Sequence, residues 1–304
     1  MFFKSARIFR LTKPLQHTAE SLHELLTEQM FVPCDSYQPT SLGWIEPMGK
    51  HGSLLSHQTN GNLMLCACKE ERLLPATVLR EAVEQEVELI ETEQARRVFP
   101  SEKRRIKEDA LQRMLPKAFT KKRLVYGYLD LTNQWLVVDS TSPKVAEEFT
   151  QLLRQSLGSL PIVPLITNQE PASVMSHWLL KQSLPSDYIT GEDCVLRDQS
   201  DSKVALRAKG IDFDSPDFKV YLEGGMRVVK MSLQWQKQID FNLGDDFGIS
   251  RIRMNDILSE GNENIDSDDF AGRFDADFAL MAGSFAELFG HLIEGFGGID
   301  ESIE

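Results

Sequence analysis

Apolar and polar residues alternate along the stretch KMSLQWQKQIDFNL, which runs from Lys230 to Leu243. A period of two over this length predicts one long strand of an antiparallel sheet, with a packed face and a solvated face. The segment GISRIRMND is its predicted hairpin partner across the turn GDDFG. Shorter runs with strand character are KSARIFRL, NLMLCACKEE, RLVYGYLDL and QWLVVDS.

Apolar residues recur at three- and four-residue intervals elsewhere, which predicts helices. Two consecutive, highly charged helices are predicted between Pro75 and Pro116, the second capped by Ser101. Lying between strands, they are expected to form an inserted hairpin that projects from a sheet domain. A phenylalanine-rich stripe near the C-terminus predicts a long amphipathic helix, capped by Asp266 or Ser267. Further helices are predicted in HTAESLHELLTEQ, SPKVAEEFTQLLRQSLGS and ASVMSHWLLKQ.

The order of these elements indicates an α+β fold with antiparallel sheets and segregated helices, since strands and helices do not alternate as in βαβ units. We expect three parts. Residues 1–75 and 117–168 form a central sheet domain, residues 76–116 an inserted helical tip, and residues 169–304 a base domain with long strands and the C-terminal helix.

Composition is that of a soluble globular protein, with 41% apolar and 26% charged residues. Charged residues interrupt the apolar N-terminus, so no signal peptide is expected, and no uncharged run reaches the length of a membrane span. The four cysteines lack the paired spacing of a zinc site and are expected to be reduced core residues. These features predict a cytoplasmic protein without a membrane association.

Charge is strongly polarised along a chain whose net charge is -13. The segment from Arg96 to Arg123 carries eleven basic residues and three acidic ones, a net charge of +8. The last 51 residues, from Met254, carry thirteen acids and one arginine, a net charge of -12. Such asymmetry is typical of proteins that bind a polyanion on one surface.

No catalytic set or cofactor motif is present in the sequence. The tail aspartates, among them Asp266, Asp268, Asp269, Asp275 and Asp277, fail the calcium-loop pattern and are expected mainly to favour a helix dipole. The histidines His51 and His57 share a loop without an accompanying acid or nucleophile. The sequence therefore predicts neither an enzyme nor a metal or cofactor site.

The basic segment instead predicts nucleic-acid binding. A solvated helix face would carry balancing acids, and these cations lack them, so a polyanion is expected to relieve their repulsion. Because no base-reading motif is present, contacts to phosphates should make binding independent of sequence and sensitive to salt. The charge pattern points to Arg96, Arg97, Lys103, Arg104, Arg105, Lys107, Lys117, Lys121, Lys122 and Arg123 as DNA-binding residues.

Several longer blocks resemble the bacterial RdgC family of recombination-associated proteins. They include FVPCDSYQPTSLGWIEPMG, LLRQSLGSLPIVPL, RFDADF and LIEGFGG, in the family's order from the N-terminus almost to the C-terminus. The resemblance implies a nucleoid-associated, non-enzymatic protein that forms a homodimeric ring around DNA. It also implies binding of single- and double-stranded DNA without sequence preference, and restraint of the recombinase RecA.

The resemblance also carries residue roles. The family's EQAR motif matches Glu93 to Arg96, which would place Arg96 at the DNA hole. Its LP[KR]AF motif matches Leu115 to Phe119, which would place Phe119 at a dimer interface or gate. Its [IL]RAK motif matches Leu206 to Lys209, offering Arg207 and Lys209 to phosphates. Gly210 stands where relatives carry a further lysine, a loss for which the basic run 121–123 would compensate.

Two other functions stay open at this stage. The charged hairpin and the phenylalanine-rich tail suit a protein-interaction module that inhibits a recombinase by direct contact. A metal-dependent nuclease acting through the tail aspartates is the more distant alternative.

Overall fold

A computed structural model describes residues 2–201, 203–210, 212–213, 215–255 and 269–302, and Asp217 by its backbone only. The strands of these residues are β1 (Ser5–Leu11), β2 (Thr40–Ile45), β3 (Ser56–Thr59), β4 (Asn62–Leu73), β5 (Phe119–Asp130), β6 (Trp135–Val138), β7 (Ile162–Pro164), β8 (Tyr188–Asp198), β9 (Ala205–Lys209), β10 (Met226–Trp235), β11 (Ile239–Gly244) and β12 (Ile249–Met254). The α-helices are α1 (Ala19–Thr27), α2 (Ala76–Gln94), α3 (Pro100–Met114), α4 (Pro143–Leu157), α5 (Pro171–Lys181), α6 (Pro216–Glu223) and α7 (Phe270–Gly295).

The chain separates into two compact units. Unit 1 comprises Met1–Glu28, Glu46–Cys66 and Val125–Glu304, and unit 2 comprises Gln29–Ile45 and Ala67–Leu124. These limits differ from the predicted boundaries at residues 75, 117 and 168, because two of the divisions between the units fall inside β4 and β5, so each of these strands contributes to both units. The three-part division with a tip and a base stays a prediction.

Unit 1 contains a large sheet in the strand order β4-β5-β6-β1-β12-β11-β10-β8-β9, with β3 beside β4 and β7 beside β1. In this strand order, every pairing from β6–β1 through to β8–β9 is antiparallel. The pairings of β3 with β4 and of β7 with β1 are antiparallel as well. The predicted α+β class with antiparallel strands is therefore confirmed. The predicted pairing of GISRIRMND is also confirmed, since β12 pairs with β11.

The long strand predicted from Lys230 to Leu243 is wrong, because this stretch is a hairpin of β10 and β11. The chain turns between the paired residues Trp235 and Ile239, where Gln236 and Lys237 adopt left-handed backbone angles. The loop has three residues, so the apolar positions on both strands stay in phase and share one face. The alternation of apolar and polar residues could not reveal the turn, because the period of two continues through the loop.

The core of unit 1 lies between the apolar face of this sheet and helices including α7. Eight residues of α7 are buried, including Phe278, Phe285 and Phe289. By length and composition α7 could cross a membrane, but its eight buried residues pack in this core. The predicted cap at Asp266 or Ser267 lies outside the described residues. The side chain of Asp269 caps the helix instead, accepting a hydrogen bond from the N–H of Gly272 at 2.8 Å.

Unit 2 contains α2 and α3, which pack against each other through a small cluster centred on Val83, Ile106 and Ala110. An ion pair of 2.6 Å between Arg113 on α3 and Glu86 on α2 joins their polar sides. The predicted cap at Ser101 is wrong. The helix begins at Pro100, whose fixed backbone angle suits the first helical position, and it has no side-chain cap.

Candidate nucleic-acid interface

The cations predicted from the basic segment all lie in unit 2, and all are exposed. They occupy three places: the connection between α2 and α3, the first two turns of α3, and the region from the end of α3 into β5. The structure thus presents them to solvent rather than using them in a core. In the order of these three places, the cations are Arg96 and Arg97, then Lys103, Arg104, Arg105 and Lys107, then Lys117, Lys121, Lys122 and Arg123.

Arg96 differs from the others because an acid already holds it. Its guanidinium donates two hydrogen bonds of 2.8 Å to the two carboxylate oxygens of Glu102, and a third to the side chain of Gln94. Hydrogen bonding to Arg96 lowers the pKa of Glu102, so the pair is ionised at neutral pH. Arg96 therefore also positions the chain between α2 and α3.

The four cations of α3 fall on two sides of the helix. At about 100° per residue, Lys103, Arg104 and Lys107 fall within one side, while Arg105 lies away from them. Arg105 lies near Glu102 and helps to lower its pKa. In the part of the chain that the structure describes, no acid lies within ion-pair distance of Lys103, Arg104 or Lys107.

Among the cations near Phe119, Lys121, Lys122 and Arg123 lie on β5, whereas Lys117 lies in the 3₁₀ turn that follows α3. Successive side chains on a strand point to opposite faces, so Lys121 and Arg123 share a face with Phe119, whereas Lys122 points away. Lys122 lies 5.0 Å from the centre of the Phe31 ring. Phe119 itself is 84% exposed, so a large aromatic ring shares a strand face with two cations that form no ion pair with the acids that the structure describes.

Unit 1 carries a second cationic surface, on the polar face of the sheet. Arg207 and Lys209 extend from β9 at the rim of a cavity of about 570 Å³. The strands β1, β8, β10 and β12 each bring one further cation to the same cavity. The sequence did not predict these four cations. They are Arg7, Arg197, Lys230 and Arg251.

Three acids of this cavity are engaged with three of its six cations. Arg7 lies 2.5 Å from Asp246, Arg251 lies 2.7 Å from Asp193, and Arg197 lies 3.7 Å from Asp245. The remaining cations, Arg207, Lys209 and Lys230, form no ion pair with any acid that the structure describes. The cavity therefore has a net charge of +3 from its lining residues.

The two neighbouring aspartates of the cavity have pKa values shifted in opposite directions. Burial alone would raise the pKa of Asp246, but hydrogen bonds from Arg7 and from the N–H of Gly248 outweigh it and hold the pKa below its ordinary value. Burial raises the pKa of Asp245, and the more distant Arg197 offsets this only in part. Arg7 thus keeps Asp246 as a fixed anion.

Gly210 follows β9 and adopts a positive φ of 65°. A lysine at this position would be strained, because residues with a Cβ rarely adopt the left-handed region. Backbone geometry therefore favours the glycine that replaces the expected lysine.

Both histidines considered for chemistry have contacts within unit 1. His57 and Thr59 contact the carboxylate of Asp275, and His51 stacks on Phe270 at 4.3 Å, so both histidines contact the start of α7. Asp266 and Asp268 lie outside the described residues. Among the residues that are described, no group of three or more His, Cys, Asp or Glu side chains could hold a metal ion.

The fold and these surfaces together define an α+β protein with exposed cations in both of its units. A family model with the description "Putative exonuclease, RdgC" matches residues 1–299. The chain belongs to the RdgC family. It is 38% identical to the recombination-associated protein RdgC of Psychromonas ingrahamii and 38% identical to that of Proteus mirabilis, in each case over 98% of this chain and 99% of the relative. It is 36% identical to the Aeromonas hydrophila protein of the same name over the full length of both.

Proposed function

We propose that this protein binds single- and double-stranded DNA without sequence preference. The observation that carries the proposal is that both units expose cations without an ion pair to any acid that the structure describes, in a chain whose net charge is -13. Acids elsewhere on the surface would repel DNA and restrict its approach to the cationic surfaces. Contacts to phosphates need no base-reading element, which is why sequence preference should be absent.

The proposal includes a homodimeric ring that encloses the DNA. It rests on family membership and on the match of Phe119, Arg96 and the segment 206–209 to the motifs described above. The exposed ring of Phe119 supports a role at a dimer contact or gate, because a large exposed aromatic side chain is typical of an interface anchor. By occupying DNA, such a ring would restrain RecA in the nucleoid of the cytoplasm.

Equilibrium titration with DNA at rising salt tests the binding, and solution mass tests the dimer. We expect a steep linear fall of log affinity with log salt, equal affinities for unrelated sequences, and the mass of two chains. An affinity that does not change with salt would refute phosphate binding. A monomer mass at working concentration would refute the ring while leaving DNA binding intact.

A recombinase-binding module is the second candidate, because unit 2 also exposes large apolar side chains. Phe99, Phe119, Val32 and Tyr37 are each more than 60% exposed, as is usual for residues that meet another protein. The two functions differ in how excess DNA acts on inhibition of RecA. Inhibition by occupied DNA is relieved when DNA is added in excess, whereas inhibition by direct contact persists.

We propose that the protein is not an enzyme, and the family description makes exonuclease activity the alternative to test. The assay incubates end-labelled single- and double-stranded DNA with the protein and Mg²⁺ or Mn²⁺. Intact DNA at protein excess is expected. Release of nucleotides that co-purifies with the wild-type chain and is lost in Asp269→Asn or Asp275→Asn would instead establish the nuclease.

A further inference from the structure

The cavity of unit 1 contains buried polar atoms that lack partners. Ser250 lines the cavity and is only 6% exposed, and its Oγ has no hydrogen-bond partner in the part of the chain that the structure describes. The Nε of Arg7, another lining residue, is also buried without an acceptor. Both groups are donors, and buried donors are normally satisfied. An anion in the cavity could accept from both of them.

The sheet register brings further polar groups to the same place. Asn242 pairs with Ser250 across β11 and β12, and Ser250 pairs with Ser5 on β1. Directly paired residues on adjacent strands lie about 5 Å apart, so these side chains form a polar row. Lys230 on β10 is paired with Gly244, which has no side chain to fill the neighbouring position.

Gly244 and Gly248, which line the cavity, leave space for the carboxylate of Asp246. A Cβ added at Gly244 or at Gly248 would lie 2.8 Å from Oδ1 of Asp246, too close for a non-bonded contact. The carboxylate accepts hydrogen bonds from Arg7 and from the N–H of Gly248, so donors other than Lys230 hold it. Lys230 is half-buried and keeps its charge available to a ligand.

We propose that this cavity is a discrete phosphate site, in which Lys230 supplies the charge and Ser250 and Arg7 donate hydrogen bonds. Charge-assisted hydrogen bonds from such a set suit the tetrahedral oxygens of a phosphate group. The phosphate can belong to the DNA backbone, in which case the site rests on the proposed DNA binding. It can also belong to a free phosphate ester, and the experiment separates these sources.

The test compares Lys230→Gln and Ser250→Ala with the matched control Lys144→Gln, which removes an exposed lysine of α4 outside the cavity. Thermal unfolding is followed during titration with sodium phosphate, against sodium chloride of equal ionic strength. A ligand that binds the folded state raises Tm in proportion to its occupancy. DNA affinity of all four proteins is then measured as a function of salt.

We expect phosphate to raise Tm of the wild type and of K144Q more than chloride does, and K230Q and S250A to lose this difference. If the site holds a backbone phosphate, the salt slope of DNA binding falls by about 1 in K230Q. The affinity then falls about five-fold at 0.15 M salt. S250A keeps every charge, so it carries the test if K230Q fails to fold.

Each other outcome either supports or overturns the phosphate site. Loss of the phosphate effect in K230Q with unchanged DNA binding supports the site and assigns it to a free phosphate ester. Absence of a phosphate effect in the wild type overturns the site, even if K230Q weakens DNA binding, because a lysine that contacts DNA without a discrete phosphate site would have the same effect. A phosphate effect in a wild type that does not bind DNA supports the site and refutes the proposed function instead.

Discussion

Neutralising three cations on one side of α3 should reduce the salt dependence of DNA binding. The change is Lys103→Gln with Arg104→Gln and Lys107→Gln. All three residues are exposed and free of ion pairs with the acids that the structure describes, and they lie within about 100° of helix surface. A duplex or single strand on this side of the helix would meet all of them.

The magnitude follows from counterion release. Each neutralised contact to duplex DNA lowers the slope of log affinity against log salt by about 0.9, so loss of three lowers it by about 2.7. At 0.15 M salt the affinity then falls roughly 100- to 200-fold. Stability should change by less than about 0.5 kcal/mol for each substitution, because none of the three side chains is buried.

Fluorescence anisotropy with a labelled oligonucleotide at four or more salt concentrations gives the slope. The control is Lys13→Gln with Lys50→Gln and Lys144→Gln, which removes the same charge from exposed lysines of unit 1. An unchanged slope in the α3 variant would refute the reasoning. So would an equal loss in both variants, since binding would then depend on net charge and not on a surface.

Two further outcomes are expected. Ile106→Ala should destabilise unit 2 by about 2–4 kcal/mol, because it empties the small cluster between α2 and α3, whereas Leu111→Ala on an exposed position of the same helix should have little effect. Denaturant unfolding measures both, and equal effects would contradict the packing. Arg7→Gln should raise the pKa of Asp246, because burial is then opposed mainly by the N–H of Gly248. In the wild type the stabilisation from this lowered pKa is present above about pH 4 and is lost as pH falls through the folded value. Carboxyl ¹³C NMR against pH follows the shift, and an unchanged midpoint in R7Q would show that Arg7 does not hold the anion.

Local sequence patterns predicted the strands and helices well where the pattern had a single period. The amphipathic stripe of α7 is an example, since Phe274, Phe278 and Phe285 are all buried as its spacing required. Patterns failed where the period does not change at a turn, as in the hairpin of β10 and β11. They also failed where two residues could begin a helix, because Pro100 and Ser101 are both favourable near an N-terminus.

The unit 2 part of the candidate surface could be predicted because its cations cluster in one segment of the sequence, from Arg96 to Arg123. The unit 1 part could not, because the sheet collects Arg7, Lys230 and Arg251 from strands that are far apart in the chain. The sequence did contain one usable signal, since Lys230 begins the polar set of an alternating strand. Arg251 gave none. Its positive φ of 55°, close to an irregularity in the pairing of β11 and β12, depends on tertiary structure.

The division of the chain between the units also limits how the protein can be dissected. The backbone passes between them four times, and two of these passages fall inside the continuous strands β4 and β5. Domains more commonly join through exposed linkers, where a protease or a gene fusion can separate them. Here a fragment containing only one unit would begin or end within a strand and leave its hydrogen-bonding edge incomplete. Neither unit can therefore be deleted or exchanged as a cassette without rebuilding two strands of the other.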